Sequence, residues 1–158
     1  MRWKRMALGV ATVGFGLMVG AGGMFEVVNL LRPALFASLQ DDPIMRLHHT
    51  EPVVFWWTLL SNFGGIAAGA AFAATGVGVV RRRVWARRLG RAAARGFWVI
   101  CAGGALVCAV YLVPALVRGL GDPARRAESL VFLISLGCST VMMPACAGGV
   151  YWGLGRGE

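Results

Sequence analysis

Charge, and acid in particular, is what this sequence has least of. Of its 158 residues 15% are charged, and seven are Asp or Glu. A soluble globular domain carries about 25% charged residues, so this chain lacks the polar surface to cover itself in water. The acids are Glu26, Asp41, Asp42, Glu51, Asp122, Glu128 and Glu158. No two of them pair within an apolar run, which leaves no carboxylate couple for acid–base chemistry there. Histidine is scarcer still: His48 and His49 are the whole supply, and both fall outside the apolar runs, against a bis-histidine haem. The four cysteines, Cys101, Cys108, Cys138 and Cys146, form neither CxxC nor CxxCH, which disfavours a thiol oxidoreductase and a c-type haem. They read as small apolar packing residues. No phosphate-binding loop and no Ser/His/Asp set is present, and no cofactor is expected.

What the sequence has in quantity is apolar surface: 58% hydrophobic residues and a mean hydropathy of +0.67. That excludes disorder, which needs low hydrophobicity. A helix needs about 20 apolar residues to cross about 30 Å of hydrocarbon, and four runs meet this at about 6–31, 53–80, 97–117 and 129–154. None alternates polar and apolar residues as a membrane β-strand would. The expected fold is therefore all-α: a polytopic membrane protein with four transmembrane helices in one bundle, residues 1–158 forming a single membrane domain. Arg2, Lys4 and Arg5 followed by an apolar stretch and Val19-Gly20-Ala21 also fit a cleaved signal peptide. The run continues through Phe25, Val28 and Leu31, however, which suits a retained helix better.

The formal net charge of +9 is unevenly spread. With the N-terminus inside, eleven Lys/Arg residues and one acid fall on the inner face, against five Arg and six acids on the outer. Cytoplasmic loops retain Arg and Lys, so both termini are expected in the cytoplasm and the chain in the inner membrane. Trp3, Trp85, Trp98 and Trp152 then lie at inner ends and Trp56 and Trp57 at an outer end, the headgroup levels that Trp prefers. Asp42-Pro43, Glu51-Pro52 and Asp122-Pro123 mark helix starts, since proline at a first helical position loses no hydrogen bond and an acid suits the positive dipole end.

Aligning Pro33 with Pro114 superposes Ala21-Gly22-Gly23 on Ala102-Gly103-Gly104 and Pro33-Ala34-Leu35 on Pro114-Ala115-Leu116, and Asp42-Pro43 recurs as Asp122-Pro123. The expectation is a tandem repeat of a two-helix hairpin, halves about 1–80 and 81–158, inserted the same way up. Close helix approach in lipid favours small residues, which nominates Gly16 and Gly20, Gly65 and Gly69, and Gly149 and Gly153 as packing positions.

Polar residues within or near the runs are Glu26, Asn29 and Asn62, candidates to line a path. For Glu26 an ion pair with an outer arginine competes, and for Asn62 interhelical hydrogen bonding. His48 and His49, beside Asp41, Asp42 and Glu51, are weak metal candidates, since adjacent histidines on a helix diverge by about 100°. The most basic segment holds Arg81, Arg82, Arg83, Arg87, Arg88, Arg91 and Arg95. With Trp85, Leu89 and Ala92 on the other face, it reads as an amphipathic helix lying on anionic lipid headgroups, not as a nucleic-acid site. The expected partners are the bilayer and other membrane subunits or further copies of the chain. The preferred function is a non-catalytic accessory or assembly subunit of a larger membrane complex. An oligomeric transporter or channel subunit is the alternative, and a membrane enzyme the second alternative.

Overall fold

The computed structural model describes residues 2–31, 50–123 and 126–155; His48 and His49, with the segment 32–49, lie outside them. Among the described residues all regular structure is helical: α1 (Arg2–Leu31), α2 (Pro52–Val80), α3 (Val84–Val107), a π-turn (Cys108–Leu112), α4 (Val113–Leu120) and α5 (Arg126–Gly155). Four stretches are long and apolar enough to cross a membrane: Trp3–Leu30, Pro52–Val80, Val84–Leu120 and Ser129–Gly155. By length and composition this is a multi-pass membrane protein.

α2 starts where its acid–proline pair indicates, with Glu51 as N-cap and Pro52 at the first helical position. The Glu51 carbonyl accepts from the amides of Val54 (3.0 Å) and Phe55 (3.2 Å), so the proline's missing N–H leaves no gap. α2 ends at a three-residue turn, in which the Arg82 amide donates to the Val79 carbonyl and the Arg83 amide to the Gly78 carbonyl. That pair of bonds is a Schellman cap, and it puts Arg82 in the left-handed region at φ 56°.

The third crossing differs from expectation. No proline lies between Arg83 and Pro114, and the basic segment does not form a separate surface helix; α3 runs from Val84 straight into the apolar stretch. With its continuation the crossing reaches 37 residues, about 55 Å at the helical rise and well beyond the hydrocarbon thickness. Its buried face is also another one. Ala86, Gly90, Ala94 and Phe97 face inward, while Trp85 is half exposed. Small residues win because α2 and α3 approach closely: a Cβ on Gly90 would lie 2.6 Å from the Thr75 methyl and 2.5 Å from Leu154. Pro114, which has no N–H to offer, is preceded by the π-turn, closed by the Val113 amide on the Cys108 carbonyl, and the helix continues beyond it.

One apolar core joins the four crossings: Phe15 and Val19 of α1, Ala68 and Phe72 of α2, Ala94 and Phe97 of α3, and Ala147, Val150 and Leu154 of α5. At its centre Phe15, Phe72 and Phe97 stack edge to face, with centroids 5.2, 5.8 and 6.1 Å apart.

Candidate functional site

α1 and α2 meet along a seam of glycine. A Cβ on Gly76 would sit 2.5 Å from the Gly9 carbonyl oxygen, one on Gly16 would sit 2.5 Å from that of Gly69, and one on Gly23 would sit 2.9 Å from that of Asn62. The contacts recur every seven residues on both helices, the spacing of a left-handed crossing. Gly20 and Gly69 also touch, whereas Gly65 makes only ordinary contact with Val19. Gly153 lies against Leu8 of α1, and a Cβ on Gly149 would meet nothing within 4 Å. The seven-residue rhythm of Gly9, Gly16 and Gly23 was available in the sequence, but a four-residue motif search passes over it.

Beyond the phenylalanine cluster, towards the end of the molecule opposite the arginines, the two hairpins leave a cavity of about 380 Å³. Met18 and Gly22 of α1, Ser61 and Asn62 of α2, Cys101, Gly104 and Cys108 of α3 and its π-turn, and Ser139, Thr140 and Met143 of α5 line it. Its hydroxyls are turned onto their own helices: Ser61 Oγ donates to the Thr58 carbonyl (3.0 Å), and Ser139 Oγ and Thr140 Oγ1 to that of Leu136 (3.0 and 2.7 Å). The Asn62 side chain has no hydrogen-bond partner among the described residues, so its amide offers a donor and an acceptor to the cavity. No Asp, Glu, His, Lys or Arg lines it. It can bind the uncharged polar function of an otherwise apolar molecule, but it holds no acid–base pair.

The other polar candidates are elsewhere. Glu26 is exposed and has an interaction partner, while Asn29 is buried with its Oδ1 unpaired. Neither lines the cavity, so Glu26, Asn29 and Asn62 do not form one site. Cys101 and Cys108 face it, whereas Cys138 and Cys146 are exposed on α5. Among the described residues no group of three or more His, Cys, Asp or Glu is placed to hold a metal ion.

α3 and α5 are tied together by polar contacts at their edges. Trp98 Nε1 donates to the Pro144 carbonyl at 3.1 Å, and the Arg95 guanidinium lies over the Tyr151 ring and donates to its hydroxyl. The other arginines of the basic segment group at the α2–α3 turn and along the start of α3. The half-buried Trp57 ring packs against Gly103 of α3, filling the space that a side chain there would need. No family model, curated protein or solved structure matches the chain.

Proposed function

We propose that the chain is an inner-membrane protein with both termini in the cytoplasm, acting as a non-catalytic accessory or assembly subunit of a larger membrane complex. The observation that carries this reading is the outward face of α5. Ile134, Val141 and Met142 are exposed there beside small residues, Cys138, Ala145 and Gly149, all open to the outside. In lipid, close approach at small residues is a main source of helix association, and a helix whose small residues face outward has room for a neighbour. The charge asymmetry of the loops supports the orientation. The repeated Ala-Gly-Gly and acid–proline segments support two duplicated hairpins inserted in parallel, packed as a four-helix bundle.

The test is purification from native membranes in mild detergent. The wild-type chain should bring a membrane subunit, or further copies of itself, in fixed stoichiometry. Gly149→Leu should lose that partner while the chain still inserts. A wild-type chain that emerges only as a stable monomer contradicts the reading.

A second reading, an oligomeric transporter or channel subunit, is favoured by the unpaired Asn62 amide in a cavity between the hairpins. It requires Asn62→Ala to lower flux through reconstituted protein; unchanged flux in both Asn62→Ala and Glu26→Gln excludes it.

A further inference from the structure

At the arginine-rich end, where α1 begins, α5 ends and α2 turns into α3, the protein has a second cavity, of about 300 Å³. Arg5 of α1, Arg82 and Arg83 of the turn and Arg87 of α3 converge on it, and Leu8 and Leu154 contribute apolar wall. No acidic side chain is among its lining residues, and none of the four arginine side chains has a hydrogen-bond or ion-pair partner among the described residues. Four guanidiniums drawn from three elements around one recess, with no anion supplied by the described residues, make a site whose missing member is negative. The start of α3 adds to the same field: Val84 lines the cavity, and the N-cap residue Arg83 makes no side-chain cap, so the positive end of the helix dipole is uncompensated.

Arg82 makes the case specific. It occupies the left-handed position of the Schellman cap, which glycine fills at least cost, and it is the one non-glycine described residue with positive φ. Folding alone would favour glycine there, so the side chain is present at a conformational cost, and it points to a role in the cavity that it lines.

We propose that this cavity is a phosphate site that takes the headgroup of an anionic phospholipid, its phosphate held by Arg5, Arg82, Arg83 and Arg87. The guanidinium fork matches phosphate oxygens in pairs. The apolar wall at Leu8 and Leu154 suits the glycerol and upper acyl region of a lipid better than a free, fully hydrated anion. Basic recesses between membrane helices on the cytoplasmic side bind such headgroups. The inference rests on the membrane orientation proposed above and not on the accessory role.

The full chain is reconstituted in nanodiscs of phosphatidylcholine with increasing phosphatidylglycerol, and retained anionic lipid is measured by native mass spectrometry alongside thermal melting. Wild type should retain phosphatidylglycerol saturably and melt higher with it. Arg5→Gln with Arg87→Gln should weaken retention about tenfold or more, the scale of losing charge-assisted hydrogen bonds. Arg82→Gly should weaken retention while the melting temperature without phosphatidylglycerol is unchanged or raised, because glycine relieves the left-handed backbone. That opposite movement separates a binding role from a structural one. Lys4→Gln, at a basic residue outside the cavity lining, should leave retention unchanged. Equal losses in Lys4→Gln and Arg82→Gly would mean a diffuse charged surface and overturn the site. In phosphatidylcholine alone, inorganic phosphate should not raise the melting temperature; a rise equal to that given by phosphatidylglycerol would assign the arginines to a soluble phosphate and overturn the lipid assignment.

Discussion

In the most apolar stretch of α2, 39% of the residues are buried inside the protein; in that of α5 the share is 6%, and the corresponding values for α1 and the third crossing are 33% and 11%. The less buried pair of crossings is the more apolar of the two, so hydrophobicity does not explain the difference. Backbone approach does. α1 brings a glycine against the main chain of α2 every seven residues, so the two main chains touch and whole faces disappear from the surface. The third crossing meets α2 and α5 through side chains, at Trp57 on Gly103, Trp98 on Pro144 and Arg95 on Tyr151, and a cavity is left beside the π-turn. The aligned triplets Ala21-Gly22-Gly23 and Ala102-Gly103-Gly104 make the point residue by residue. A Cβ on Gly23 would lie 2.9 Å from the Asn62 carbonyl oxygen, but one on Gly104 would find its nearest neighbour, Trp57 Nε1, at 3.7 Å. The same three residues serve main-chain contact in one hairpin and side-chain contact in the other.

Substitutions can break this comparison in order of expected effect. Gly69→Leu should be the most damaging, since any side chain there meets the backbones of Gly16 and Gly20 and nothing flexible can give way. A loss of about 3 kcal/mol or more, at the upper end for overpacking, should appear as unfolding at lower denaturant in detergent. Phe72→Ala should follow at about 3 kcal/mol, because Phe72 is fully buried between Phe15 and Phe97 and its removal leaves a cavity. Trp98→Phe should cost about 1 kcal/mol, the value of one hydrogen bond to the Pro144 carbonyl, and should loosen α3 from α5 without disturbing α1 and α2. Gly149→Leu should change the stability of the isolated chain by less than about 0.5 kcal/mol, as expected for a surface substitution. If Gly149→Leu proves as damaging as Gly69→Leu, the two hairpins are equally packed and the contrast fails.

Much of the architecture was legible in the sequence, for reasons of length and local chemistry. Runs of about 20 apolar residues identify membrane crossings whatever their packing, and the Glu51-Pro52 pair marks the start of α2 to the residue. Packing was less legible. Twenty-three glycines generate many plausible spacings, and only backbone geometry singles out Gly9, Gly16 and Gly23 against Gly76, Gly69 and Asn62. The face of α3 was misjudged because hydrophobicity favours Trp85 and Leu89, whereas close approach to α2 selects Ala86, Gly90 and Ala94. Glu26, Asn29 and Asn62 share polarity but not a place, since which of them reaches the cavity depends on how the hairpins diverge. The grouping of Arg5 with Arg82, Arg83 and Arg87 depends on tertiary contact between the first helix and a turn some 80 residues later.

The central claim, that α5 keeps an open face for another subunit, is tested most directly by photo-crosslinking in native membranes. A photoreactive amino acid replaces Met142 on the open face of α5 or Leu17 on the exposed face of α1, both of which project from the protein. The account predicts a protein adduct of defined mass from position 142, whatever position 17 captures. Lipid adducts alone from position 142 would contradict it.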